Sequence, residues 1–355
     1  EIWNSSEKKM IIAGGIRPSN ELKGSMTDFK KREDVLVLTE SISNLQEECD
    51  IDQIDPSVEI ISSMEEKTKY IPDILITFGG GVVSKKLKFL LRKHRPKVHW
   101  HITNSNQHWD TFQSLTHVLN CQPDWFFREV LDKTEAQQNG YSSRWTAIAE
   151  KCNTWTSDYL KEQSFTDFKV FEQLVPKLES GLCLHLGNST PVRYANLFSI
   201  PTGVEVFSNR GISGIDGIIS TAVGAAKMHD GLTLCVCGDL SFFYDSNAFW
   251  NKQISENFRV LMINNGGGNI FRIIPGPDKV PGYPDFFEAP QDLDAGSIAQ
   301  SFGIDYQLSE NESELEEGLN WLFDKNSNAR ILEVKTPNNE SATVLREYLN
   351  YIKSR

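Results

Sequence analysis

The sequence predicts an α/β protein built from two doubly wound, parallel-sheet domains. Two observations carry this reading: short apolar runs alternate with helical stretches, and the alternation breaks off over a polar interval between about Asn120 and Gly181 before it restarts. A third is that apolar runs end on polar residues, Asp239 and Asn264-Asn265, as strands do when they deliver loops to the ligand-binding edge of such a sheet. At 355 residues, 39% hydrophobic and 24% charged, the chain has the composition and length of two or more ordinary domains.

Taken in order, Met10-Ile-Ile-Ala-Gly-Gly, Asp34-Val-Leu-Val-Leu, Asp73-Ile-Leu-Ile-Thr-Phe-Gly-Gly-Gly and Lys97-Val-His-Trp-His-Ile read as strands, with an amphipathic helix over 82–93. The polar interval reads as helical, and the domain boundary is placed near 140, giving domains 1–140 and 141–355. In the second domain strands are expected over 181–186, 204–207, 233–237 and 259–263, with helices over 214–228 and 246–255. A late strand at 329–334 and a helix from Ser341 close it.

Composition narrows the partners. With 48 Asp+Glu against 36 Lys+Arg the net charge is −12, which disfavours nucleic acid and anionic lipid as general partners. Six cysteines without a CxxC pair suit reduced, buried thiols, and no apolar run reaches membrane-span length, so a cytoplasmic protein is expected. The chain begins at Glu1 rather than at Met, so an upstream segment is expected.

The most informative stretch is Thr233-Leu-Cys-Val-Cys-Gly-Asp-Leu-Ser followed, after a crossover, by Arg259-Val-Leu-Met-Ile-Asn-Asn-Gly-Gly-Gly-Asn-Ile-Phe. This is a βαβ unit whose two polar ends emerge at the same sheet edge. If the strands are neighbours, a carboxylate and an amide carbonyl can converge on a hard cation such as Mg²⁺, which takes oxygen ligands, and diphosphate oxygens would complete its shell. Glycines after the second strand would let backbone approach a ligand, and Ser241 could donate to phosphate. An Asp-capped helix followed by a glycine-rich turn is the plainer alternative.

Gly238-Asp239 with Asn265 following Asp239 by 26 residues resembles the motif of thiamine-diphosphate enzymes. The stretches Gly238-Asp-Leu-Ser-Phe-Phe-Tyr-Asp-Ser-Asn, Gly187-Asn-Ser-Thr-Pro-Val-Arg and Ser208-Asn-Arg-Gly-Ile-Ser-Gly-Ile-Asp-Gly narrow the resemblance to the 2-succinyl-5-enolpyruvyl-6-hydroxy-3-cyclohexene-1-carboxylate synthases of menaquinone biosynthesis, over their central and carboxyl-terminal domains. Leu240, where most thiamine enzymes have Gly, is usual for this branch. The resemblance implies thiamine diphosphate and Mg²⁺ (or Mn²⁺) as cofactors. Asp239, Asn265 and the Gly267 carbonyl would be the metal ligands, and Gly238, Leu240 and Ser241 would lie at the cofactor. It further implies that Ile215 props the cofactor in a bent form, that Ile270 and Phe271 line its pocket, and that Ser189, Arg193 and Arg210 surround the substrates. Those substrates, 2-oxoglutarate and isochorismate, are dicarboxylates, which suits the guanidinium fork.

In the first domain Gly79-Gly-Gly followed by Ser84-Lys85-Lys86 suggests an anion-binding strand-to-helix turn. It matches neither dinucleotide fingerprint nor P-loop, and by resemblance Lys85 and Lys86 would reach towards substrate carboxylates. A solvated helix face is the plainer reading of that pair. His99-Trp-His101, near His94 and His108, lacks the carboxylate or Cys that would complete a metal site and reads as packing.

The implied reaction decarboxylates 2-oxoglutarate and adds the succinyl carbanion to isochorismate. The activating glutamate of such enzymes belongs to an amino-terminal pyrimidine-binding domain, so none of residues 1–355 is expected to be the catalytic acid–base group, and the piece alone is expected to be inactive. Two rivals remain: another thiamine-diphosphate 2-oxoacid decarboxylase or synthase, and a non-catalytic scaffold of the same fold. The resemblance also implies a homodimer or homotetramer.

Overall fold

A computed structural model describes residues 1–355 apart from 106–107, 252–253, 275 and 326–327. The chain divides into two compact units, Glu1–Ser157 with Tyr351–Arg355, and Asp158–Asn350. Each carries one all-parallel sheet flanked by helices, so the predicted α/β class is what the chain adopts.

The first unit holds β1 (Lys9–Ala13), β2 (Val35–Thr39), β3 (Ile74–Phe78), β4 (Val98–Thr103) and β5 (His117–Asn120), in the order β2-β1-β3-β4-β5. Strands β1 to β3 are buried at every residue. That is why they read as continuous Val/Ile/Leu runs rather than alternating ones. β5 is a short edge strand, mostly exposed, and carries no apolar run that would announce it. Lys9 is fully buried within β1, where its ammonium meets Asp34 Oδ2 at 2.5 Å and Ser6 O at 2.7 Å.

The predicted amphipathic helix spans Lys85–Lys93, with Leu87, Leu90 and Leu91 buried and Ser84 capping the Leu87 N–H. The anion expected at its entry is the chain's own. Val83 N–H and Ser84 N–H each donate to Glu40 at 2.6 Å. Burial pushes the Glu40 carboxyl up to about 7, against the pull of those two donors. His99 and His101 share the Thr77 hydroxyl at 2.9 Å, and burial lowers His99 to about 4.

The second unit holds β6 (Cys183–Leu186), β7 (Glu205–Phe207), β8 (Thr233–Gly238), β9 (Phe258–Asn264), β10 (Asp305–Ser309) and β11 (Arg330–Lys335). Their order is β10-β11-β9-β8-β6-β7. β6 has its successor β7 on one side and β8 on the other. The strand order therefore reverses between β6 and β8, and a crevice opens at their carboxyl ends. β8 and β9 are direct neighbours, with Gly238 opposite Ile263, so Asp239 and the Asn264-Asn265 pair leave the sheet side by side.

The expected helix over 214–228 is shorter, Ile218–Ala226, with Gly217 at its start in the left-handed region (φ 72°). Asp245 pins this helix by accepting from Ser220 N–H at 2.8 Å and Ser220 Oγ at 2.6 Å. The helix expected over 246–255 is a 3₁₀ turn, Ser246–Trp250, while 252–253 lie outside the described residues. The α-helical part of the crossover lies earlier, at Asp239–Tyr244, and Asp245, out of helical geometry, divides the two. Strand β10 and the helices Ala295–Phe302 and Glu312–Leu322 were not foreseen; β10 is a half-exposed edge without an apolar run.

Candidate active site

Three loops meet at the crevice of the second sheet. The loop after β6 turns sharply: a Cβ on Gly187 would stand 3.2 Å from Cys237 Cα and Val236 O, a tight approach that glycine relieves where the end of β6 lies against β8. Ser189 follows with a left-handed backbone (φ 74°), a conformation costly for Ser and held here by the loop. Asn188 ties this loop to the one after β7, donating to Asn209 O at 2.7 Å and Gly214 O at 2.6 Å and accepting from Arg210 at 2.5 Å. Arg193 donates back to the Ser189 carbonyl.

The loops enclose a cavity of about 540 Å³. Its walls bring together Ser189, Arg193, Arg210, Ile215, Gly238, Asp239, Leu240, Ser241, Asn265, Gly267, Ile270 and Phe271, the candidate residues of the second domain. Ile215 is a loop residue, ahead of the helix that begins at Ile218, and is half-buried against the cavity. Lys85 and Lys86 do not line this cavity. They lie in the first unit, Lys85 exposed and Lys86 ion-paired with Glu59.

Asp239 is buried, and its Oδ1 accepts from Leu240 N–H at 2.7 Å while Oδ2 accepts from Gln291 Nε2 at 3.1 Å. Burial raises its carboxyl to about 6, with Gln291, Leu240 and Gly267 pulling the other way. Asn265 is also buried; its Nδ2 donates to Asp167 Oδ2 at 2.9 Å, and its Oδ1 has no hydrogen-bond partner among the described residues. Gly267 has φ 147°, and a Cβ there would sit 2.6 Å from Glu288 O. Only glycine fits this position.

Among the described residues, a buried carboxylate without a countercharge and a buried amide oxygen without a donor, on the same cavity, are a deficit that a hard divalent cation would fill. The Gly267 carbonyl, which accepts from Asn269 N–H at 2.9 Å, keeps its second lone pair. Asp239, Asn265 and Gly267 thus fit such a cation as an all-oxygen donor set.

No family model matches the chain. It is 40% identical over 348 residues to the 2-succinyl-5-enolpyruvyl-6-hydroxy-3-cyclohexene-1-carboxylate synthase of Flavobacterium johnsoniae, covering 98% of this chain and 62% of the relative. To the synthase of the same name from Christiangramia forsetii it is 38% identical over 356 residues, 99% of the chain and 62% of the relative. To that of Bacteroides thetaiotaomicron it is 35% identical over 364 residues, 100% and 63%. The chain is related to these synthases along almost its whole length. It spans somewhat less than two thirds of theirs. The resemblance read from the motifs is borne out.

Several residues of the site that were not foreseen come from segments distant in sequence. Asp167 and Gln291 approach the Asp239/Asn265 pair from the helix Asp167–Leu174 and from a loop before Ala295, and neither stands in a recognisable motif. Asn188 was visible, since Gly187-Asn-Ser is among the stretches that carry the likeness to the synthases, but its bridging of two loops was not. Glu288, which accepts from Tyr283 and from Arg272 at 2.6 Å, holds the segment over Gly267 and Gly268. Among the described residues no helix is long and apolar enough to cross a membrane.

Proposed function

We propose that this chain supplies the cation-, diphosphate- and substrate-binding parts of a 2-succinyl-5-enolpyruvyl-6-hydroxy-3-cyclohexene-1-carboxylate synthase, acting on 2-oxoglutarate and isochorismate in menaquinone biosynthesis. The observation that carries the reading is the donorless, buried Oδ1 of Asn265 beside the buried carboxylate of Asp239. The first unit corresponds to the central domain and the second to the diphosphate-binding domain. The activating glutamate comes from outside residues 1–355, and the working enzyme is a homodimer or homotetramer.

Asp239, Asn265 and the Gly267 carbonyl hold Mg²⁺ or Mn²⁺, which reconciles a carboxylate with a diphosphate in one cavity. Gly238, Leu240 and Ser241 border the diphosphate, with the Ser241 hydroxyl as a donor. When bound, thiamine diphosphate supplies the electron sink for decarboxylation. Ile215, Ile270 and Phe271 form an apolar wall that orients the cofactor and keeps water from the reacting carbon. Ser189, Arg193 and Arg210 recognise the carboxylates of the substrates from the opposite loops, the guanidinium forks giving bidentate contacts. By the resemblance Lys85 and Lys86 of the first unit are further carboxylate-binding residues, Lys86 exchanging its Glu59 partner for substrate.

The test is product analysis on the complete gene product with thiamine diphosphate, Mg²⁺ and 2-oxoglutarate, with and without isochorismate. The expected result is a coupled product that requires both substrates. Equal consumption of 2-oxoglutarate without isochorismate, yielding the aldehyde, would make it a decarboxylase. No calorimetric binding of thiamine diphosphate with Mg²⁺ would leave only a scaffold.

A further inference from the structure

The two asparagines that end β9 are each gripped from behind by a buried carboxylate. Asn264 Nδ2 donates to Glu333 Oε1 at 2.6 Å, and Asn265 Nδ2 donates to Asp167 Oδ2 at 2.9 Å. Burial raises the Asp167 carboxyl, but the Thr336 and Ser341 hydroxyls and the Asn265 amide all donate to it and favour its ionised form. An ionised carboxylate only accepts, so the contact decides which end of the amide faces it. For Asn264 the consequence is internal: its Oδ1 accepts from Gly266 N–H at 3.1 Å and shapes the glycine turn. For Asn265 the consequence faces the cavity, because its Oδ1 is left there without a donor.

Asp167 is in turn locked. Its Oδ1 accepts the hydroxyls of Thr336 at 2.6 Å and Ser341 at 3.1 Å, and Ser341 Oγ accepts the Asp167 N–H at 3.2 Å. That leaves Oδ2 for Asn265. On the other side, Asn338 Nδ2 donates to the Asn265 backbone carbonyl at 2.9 Å. Residue 265 is therefore held by the helix Asp167–Leu174, by Thr336 just past β11, and by the helix Asn338–Lys353.

We infer that Asp167 is a positioning residue for the cation: it turns the Asn265 amide carbonyl-inward, making position 265 an oxygen donor rather than an N–H donor. This rests on the reading of Asp239, Asn265 and Gly267 as a cation site. The competing role is structural, a buried polar cluster that fastens helix to sheet and has no bearing on which amide end faces the cavity.

An amide swap separates the two. In Asp167→Asn the carbonyl stays under the Thr336 and Ser341 hydroxyls, so the new NH₂ faces Asn265. The Asn265 amide must then turn over and present its own NH₂ to the cation. In Asp167→Asn/Asn265→Asp one carboxylate oxygen at 265 accepts from the new NH₂ and the other faces the cation again.

Mn²⁺ affinity is read by electron paramagnetic resonance on the complete protein with thiamine diphosphate present, alongside thermal unfolding without metal. Changes of this kind behind a metal ligand typically weaken binding about 10- to 100-fold, and that is expected for Asp167→Asn, with recovery to within about threefold of wild type in the swap. Undiminished Mn²⁺ affinity in folded Asp167→Asn overturns the inference while leaving the cation site standing. So does a folded swap variant that stays as weak as the single one. If Asp167→Asn does not fold, the swap decides alone: folded and binding supports the inference, folded and not binding overturns it. If wild type binds no Mn²⁺, the site reading fails and the inference falls with it.

Discussion

Asp239 is buried, and in the metal-free protein that burial raises its carboxyl to about 6. A cation must displace the proton, so the apparent affinity for Mn²⁺ is predicted to fall about tenfold per pH unit below about pH 6 and to level off above it. A titration of Mn²⁺ between pH 5 and 8 checks this, and a flat profile would remove Asp239 from the ligand set. Gly267→Ala tests the neighbouring position. Its Cβ would stand 2.6 Å from Glu288 O at a backbone angle of 147°, so a loss of about 2–3 kcal/mol in stability is expected by chemical denaturation. At this scale the sequence was most informative where chemistry is concentrated in short strings. Asp239, Asn265 and Gly267 stand in one motif-bearing stretch, whereas Asp167 lies 98 residues from the asparagine it holds. Partnerships made by folding leave no local signal.

Among elements, the strand-to-helix turn ahead of Lys85–Lys93 is filled from within the chain. The turn does bind a carboxyl group, and that group is the chain's own Glu40. Because the folded carboxyl titrates near 7 rather than 4.5, the folded state keeps its proton longer than the unfolded chain does. Stability from this group is therefore present at acid pH and lost as pH rises from about 4.5 to about 7, by up to about 3 kcal/mol. Glu40→Gln cannot ionise, so in urea unfolding its stability relative to wild type should rise across that window and stay constant above it. A difference that does not change with pH would contradict this. The strands with continuous apolar runs, β1, β2, β3, β8 and β9, were legible because both faces are buried. The edge strands β5 and β10 were not, since half-exposed edges need no such run.

Across the whole molecule, two sheets of the same class make up the chain's two units. The second is organised around its crevice, and one residue far from the cavity anchors the strand that carries Asn265. Arg259, fully buried at the start of β9, donates to the carbonyls of Leu322, Glu256, Phe258, Asn328 and Asp324 at 2.6 to 3.0 Å. Arg259→Met would strand those carbonyls, and a loss of about 3–5 kcal/mol is predicted by chemical denaturation, with Arg259→Lys recovering little because an ammonium cannot reproduce the fork. The central claim is that the crevice binds a divalent cation through Asp239, Asn265 and the Gly267 carbonyl. Crystals of the complete protein grown with Mn²⁺ and thiamine diphosphate, with data collected at a wavelength where manganese scatters anomalously, test it directly. One anomalous peak is expected about 2.2 Å from all three oxygens, with Gln291 displaced from Asp239. A peak elsewhere, or none while the diphosphate is bound, would contradict it.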